Sequence, residues 1–369
     1  MKKTISIITF FVVFCAFAPT DKTKGTAKKS QSSVYKGHNL PRLRGTMISP
    51  GRFGHDDLEV LAGKWNANHV RWQLIWGGFP NGPADSASIK QYDEWLERQC
   101  QRLDVMLPEF KKYGVYVSLD LHTPPGGRIE DGWSMRIFHN KEYREHFIAV
   151  WKKLAQRYKD AEMIWAYDLL NEPNQGNIPR GMPDWRGLAL ETSKEIRKID
   201  PEKAIIFESY RYGDPIGFKD FEPFNPEEVP NVVYSAHMYI PHDFTHQGVG
   251  TRTTGLDYPG EIDGKYWDKK ALREELKYPI ELSKKYGVAI YIGEFGAIRW
   301  APNGSAYRYL KDCIDIFEEE GWDWAYHAFR EWHGFSAEHG PDINNNSPSP
   351  TPTDREMLLR KWFKKNKHP

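Results

Sequence analysis

A single (β/α)8 barrel of the α/β class is what the sequence predicts, and three observations predict it. Eight short β-like runs alternate with longer helical patterns along the chain. Several of those runs are near-continuously apolar, as parallel strands covered on both faces are. The competing doubly wound sheet needs a Gly-rich phosphate turn after its first strand, and Gly45-Thr46-Met47-Ile48-Ser49 does not supply one.

The expected strands span 43–48, 69–74, 115–121, 164–170, 204–208, 232–237, 288–292 and 324–329. Helical spacing of apolar residues covers 56–65, 92–113, 141–158, 185–199, 269–286 and 305–320. Tyr113-Gly114-Val115 and Tyr286-Gly287-Val288 each place a glycine just past a helix, where a left-handed cap turns the chain into the next strand. Between the fifth and sixth strands the helix is weak or missing, because 212–230 is rich in Gly, Pro and acids. Residues 238–268 form an insertion after the sixth strand. A last helix is expected over 355–364, with Asp354 as its cap.

The N-terminus reads differently from the body. Residues 1–18 pair Lys2 and Lys3 with an apolar run too short for a comfortable membrane span, the pattern of an export signal. Ala16-Phe17-Ala18 has the form of a cleavage site, with Pro19 a poor residue to follow it. Residues 19–35 read as a polar, Lys-rich, disordered leader, leaving 36–369 as one catalytic domain. A secreted, periplasmic or cell-surface protein with no membrane span once mature is the expectation.

Lys plus Arg number 51 against 50 Asp plus Glu, a formal net charge of +1, so nothing marks a nucleic-acid binder. Of three cysteines, Cys15 lies in the apolar start, and Cys100 and Cys313 read as small buried thiols, which excludes a disulfide framework. Aromatic residues make up 14% of the chain, enough to suggest a ligand with flat apolar faces, such as a sugar.

Polar residues at the carboxyl ends of barrel strands are the first functional suspects. Those ends carry Arg71, His122, Asn171 with Glu172, His237 with Tyr239, Glu294, and the stretch from Arg330 to Trp332. Any one of these acids could simply pair with a loop Arg or Lys. Glu172 and Glu294, however, end the fourth and seventh strands, which face each other across the mouth of an eight-membered ring. Two facing carboxylates are what glycosidic cleavage needs: one protonates the leaving oxygen, the other attacks or activates water. Trp76, Trp133, Trp185, Trp267 and Trp300 are candidate sugar platforms, with about half expected to staple loops instead. His242 and His246 lie four apart in a Gly/Thr-rich loop and do not make a metal site; none is expected.

With these residues in place, the sequence resembles glycoside hydrolase family 5, from about Leu40 to Trp362. Leu170-Asn171-Glu172-Pro173 is its most specific element, joined by Ile292-Gly293-Glu294-Phe295-Gly296, His237-Met238-Tyr239, Arg71 in Val70-Arg71-Trp72, and His122 in Asp120-Leu121-His122. The resemblance implies Glu172 as general acid/base and Glu294 as nucleophile of a retaining mechanism. It further implies Arg71 and Tyr239 beside the nucleophile, Asn171 on the sugar 2-hydroxyl, and His122 and His237 on sugar hydroxyls or the carboxylates. Strand eight departs from the family pattern: His327 stands where a Trp platform is common, and Trp332 could take that role. Glu331 reads as structural or substrate-binding. The implied activity is hydrolysis of a β-linked oligo- or polysaccharide by a monomer needing no cofactor, an endo-β-1,4-glucanase by default. A β-mannanase, an exo-β-glucanase and an inactive carbohydrate-binding barrel are the alternatives.

Overall fold

A computed structural model describes residues 37–77 and 82–368; the expected signal and leader lie outside the described residues. The strands are β1 (Arg44–Ile48), β2 (His69–Gln73), β3 (Tyr116–Asp120), β4 (Ile164–Asp168), β5 (Ala204–Glu208), β6 (Val232–Met238), β9 (Ala289–Phe295) and β10 (Asp323–Phe329), with a small hairpin, β7 (Gly260–Ile262) and β8 (Lys265–Trp267), between β6 and β9. The eight longer strands close into a parallel barrel, β9 and β10 being its seventh and eighth staves. Around it run α1 (His55–Leu58), α2 (Ile89–Tyr113), α3 (Lys141–Tyr158), α4 (Trp185–Arg197), α6 (Lys269–Glu275), α7 (Lys277–Tyr286), α8 (Ser305–Glu320) and α9 (Asp354–Phe363), with α5 (His242–Thr245) a single turn after β6.

The fold follows the expected order, with local differences that have physical causes. The helix expected over 269–286 is two helices, because Pro279 has no N–H to give the carbonyl of Glu275 and the chain kinks at Leu276. The cap of α9 is Thr353 rather than Asp354: its hydroxyl accepts from the Glu356 N–H at 3.1 Å. Between β5 and β6 only a short 3-10 turn, Pro215–Phe218, stands where the other units carry a helix. Gly114 and Gly287 end α2 and α7 at φ 64° and 68°, the left-handed caps their positions called for. Cys100 and Cys313 are buried free thiols.

Side chains alternate between the barrel interior and the helix layer. On β2, Trp72 points outward, edge-on to Phe110 of α2, while His69 and Arg71 point inward. Lower in the barrel His69 meets Tyr291 at 2.8 Å, and burial pushes its pKa down to about 4, so it is neutral. Three bulges break the alternation. Each inserts one residue opposite a regular neighbour: Trp165 on β4, Gly293 on β9, and a residue between Tyr326 and Phe329 on β10. The second sets the aim of β9: with Gly293 extra, His237 pairs with Glu294, and the Glu294 side chain turns into the barrel mouth instead of outward.

Candidate active site

The centre of the barrel mouth is the Arg71 guanidinium, fully buried and surrounded by carboxylates. Its Nε donates to Asp168 at 2.8 Å, Nη1 to Glu294 at 2.6 Å, and Nη2 to Glu208 at 2.6 Å and Asn171 Oδ1 at 3.1 Å. Asp120 adds an ion pair at 3.1 Å. Burial opposes the guanidinium charge, but Asp120, Asp168, Glu208 and Glu294 outweigh it and raise its pKa. Crowding acts on the acids as well: burial, aided by Glu208 and Asp120, pushes Asp168 well above the usual carboxylate range despite Arg71.

Glu294 is held at both oxygens, one by Arg71 and the other by the Tyr239 hydroxyl at 2.8 Å. Burial would raise its pKa, but His237, His327 and Arg71 overcome burial and hold it well below the ordinary value. Glu172 is more open, with its side chain 27% exposed, and its Oε1 meets His237 Nδ1 at 3.0 Å. Its backbone sits at φ +47°, a left-handed conformation costing about 1–3 kcal/mol for a residue with a side chain. The N–H of that strained residue is tied to Glu208 Oε2 at 2.8 Å.

His237 lies between the two acids and Glu208, with Nε2 3.2 Å from Glu208 and Nδ1 3.8 Å from Glu294. Gly293 leaves room for it, since a Cβ there would come within 3.0 Å of Nε2. Burial disfavours its charge; Glu208, Glu294 and Glu172 prevail and raise its pKa well above the ordinary value. Glu172, His237 and Glu294 bring one ligand-type atom each within 4.8 Å of one another.

Hydrogen-bond direction fixes the neighbouring amide. His122 Nδ1 meets Asp120 Oδ2 at 2.8 Å, so Nδ1 carries the proton and Nε2 accepts from Asn171 Nδ2 at 3.2 Å. With Oδ1 taken by Arg71, Asn171 retains one N–H to offer to a ligand.

All nine expected site residues are described. Arg71, His122, Asn171, Glu172, His237, Tyr239, Glu294 and His327 share this one network, through the contacts above and through His327 Nδ1 against the Tyr239 hydroxyl. Trp332 stands apart, 38% exposed and edge-on to Trp300 at 6.1 Å. Of the expected platforms, Trp185 and Trp267 are buried and serve packing: Trp185 stacks on Phe207 at 5.3 Å and donates to the Glu208 carbonyl. Trp133 is exposed, while Trp76 lies flat against Trp95 at 5.1 Å. Sequence reading passed over Asp120, Asp168 and Glu208, although each is the last residue of a strand, the same signal that singled out the others.

Glu208 is the most connected of these, accepting from Arg71 and the Glu172 N–H and ion-paired with His237. Glu208→Ala is expected to lower the His237 pKa, because a neighbouring negative charge is lost, and to reduce turnover by roughly 10- to 100-fold. Histidine titration by NMR checks the first effect; an unmoved His237 resonance would contradict the charge network.

A closed parallel barrel with a close carboxylate pair at its mouth has the architecture of the barrel glycosidases. Residues 29–331 match the family model of cellulases, glycosyl hydrolase family 5. Endoglucanase C of Acetivibrio thermocellus is 30% identical over 291 residues, covering 71% of this chain and 80% of that protein. Cellodextrinase A of Ruminococcus flavefaciens is 30% identical over 277 residues, covering 72% and 75%. The structure of a mutant form of Thermotoga maritima Cel5A with cellobiose aligns at a TM-score of 0.65 and 27% identity, covering 87% of this chain and 96% of that one. The same enzyme with mannotriose aligns at 0.60 and 26%. The chain belongs to glycosyl hydrolase family 5; it is a glycoside hydrolase acting on glycosidic bonds. No helix among the described residues is long and apolar enough to cross a membrane.

Proposed function

We propose that the protein is a retaining endo-β-1,4-glucanase in which Glu294 is the nucleophile and Glu172 the general acid/base. The observation that carries this reading is the approach of the two carboxylates, with oxygens within 4.8 Å. Retaining enzymes hold their carboxyl groups about 5–5.5 Å apart, whereas inverting ones leave about 6.5–9.5 Å for a water. In the first step Glu294 attacks the anomeric carbon while Glu172 protonates the departing glycosidic oxygen. In the second, Glu172 takes a proton from water, whose oxygen bonds that carbon as the ester to Glu294 breaks. Two attacks from opposite faces return the original β configuration.

The surrounding groups suit these steps. Arg71 and Tyr239 each hold one oxygen of Glu294, so the nucleophile needs no reorganisation before attack. The remaining N–H of Asn171 is the donor for the sugar 2-hydroxyl, and His122 fixes that amide in turn. His237, bonded to Glu172, orients the acid. Trp332 and Trp133 offer exposed aromatic faces for sugars further along the chain.

A β-1,4-glucan is favoured because the relatives named above are an endoglucanase and a cellodextrinase. Mannan is the second reading, favoured by the mannotriose complex of the T. maritima enzyme. Export and action outside the cytoplasm complete the proposal, supported by the apolar start at residues 1–18. The test is hydrolysis of carboxymethylcellulose, mixed-linkage β-glucan, mannan and xyloglucan with product sizing. A rapid fall in viscosity with mixed oligosaccharides is expected on the glucans; release of a single short product from chain ends would replace endo action with exo action.

A further inference from the structure

The eighth strand holds a polar arrangement that the two-carboxylate mechanism leaves unused. The Tyr239 hydroxyl has one proton, and at 2.8 Å it gives that proton to Glu294 Oε2. The same oxygen also contacts His327 Nδ1, so there the imidazole must be the donor. The far edge of that ring, Nε2, lies 3.8 Å from Glu331 Oε1. Glu331 is itself fixed, its Oε2 accepting from Gln73 Nε2 at 2.8 Å, while Gln73 also donates to the Ile48 carbonyl. The His327 ring lies on Phe335, with centroids 5.1 Å apart and planes 28° from parallel, so its orientation is set.

We infer that His327 is a positioning residue. The chain Glu331–His327–Tyr239 keeps a hydroxyl proton on Glu294 and places an imidazolium 3.7 Å from Glu294 Oε2, where it stabilises the carboxylate as it departs from the glycosyl-enzyme. The inference rests on Glu294 being the nucleophile. When the ester forms, Glu294 loses its charge and His327 loses a partner. When water's oxygen bonds the anomeric carbon, the electron pair of the breaking ester bond returns to Glu294, and the imidazolium regains its counterion. Help of this kind acts on the second step more than on the first.

Acids dominate the groups around His327, although His237 shares the same Glu294 oxygen at 3.8 Å. Glu331 lies on its own segment, Glu294 on β9, and Glu172 beyond Glu294. Tyr239 and His246 face it from the chain after β6. Burial opposes the charge, but Glu331 and Glu294, with Glu172 behind them, raise the pKa above its ordinary value. Tyr239 stays protonated, pushed well above its ordinary range by burial and by Glu294. His246 is neutral, pushed down to about 3 by burial first and then by its charged neighbours. A group raised in this way is charged below its pKa and loses its charge as pH rises through it, so the second step should slow on the alkaline side.

The experiment uses 2,4-dinitrophenyl β-cellobioside, whose leaving group needs no acid, so that hydrolysis of the ester limits kcat. His327→Phe, which keeps the stack on Phe335, should lower kcat about tenfold, with kcat/KM changing about threefold or less. Glu331→Gln, a near-isosteric change, should move the alkaline limb of the kcat profile to lower pH by about one unit, because one negative neighbour is gone. Profiles of kcat that match wild type in both variants overturn the role of His327, provided wild type shows a burst of dinitrophenolate and a cellobiosyl adduct on Glu294. Absence of that adduct in wild type overturns the nucleophile assignment and the inference together.

Discussion

Glu294→Ala is expected to reduce kcat/KM on β-glucan by about 10,000-fold or more, since the attacking carboxylate is removed. The companion change, Glu172→Ala, should cost as much on the polymer but far less on a dinitrophenyl glycoside, whose leaving group departs without a proton. The two variants differ further in how added azide restores activity. With Glu294 gone, azide occupies the nucleophile's side and gives the α-glycosyl azide. With Glu172 gone, the glycosyl-enzyme still forms, and azide attacks it from the opposite face to give the β-glycosyl azide. Opposite anomers from the two variants, read by NMR, establish both roles at once. The same anomer from both, or β-azide from Glu294→Ala, would reverse or remove the assignment.

Much of this site was legible because barrel chemistry collects at strand ends and strand ends are visible as the point where an apolar run stops. Glu172 and Glu294 were readable in that way, and their spacing of three strands gave their opposition. What stayed hidden has physical reasons. Asp120 and Asp168 lie inside the expected runs 115–121 and 164–170, so a reading that looks for acids after the run passes over them, whereas Glu208 ends its run and carried the same signal as the others. The bulge at Gly293 cannot be read from alternation, because an inserted residue reverses the inward and outward parity that alternation assumes. The break between α6 and α7 was different: Pro279 announced it, and helical apolar spacing on both sides concealed it. Trp185 and Trp267 show the limit of composition, since an aromatic in a loop is as readily a packing residue as a sugar platform.

The largest effect on stability is expected from Arg71→Met. Among the described residues Arg71 is the one cation that touches Asp120, Asp168, Glu208 and Glu294 together, at distances from 2.6 to 3.1 Å and with no exposure of its own side chain. Removing it leaves buried acids facing one another without their common partner, a loss of about 3–5 kcal/mol. For a barrel of this size that is a fall in melting temperature of roughly 4–7 °C at neutral pH. The pH dependence separates this cause from loss of packing. In wild type the depressed Glu294 contributes stability above the unfolded carboxylate pKa and loses it as pH falls through the lower folded value. In the variant the same acids take up protons more readily when folded than when unfolded, so the variant gains relative stability as pH falls. Between pH 7 and pH 5 the wild type keeps its Glu294 contribution while the variant gains, so calorimetry over that range should show the two melting temperatures converging. A difference that stays constant over that range would mean that Arg71 is held for its shape, and that the charges around it are balanced by other groups.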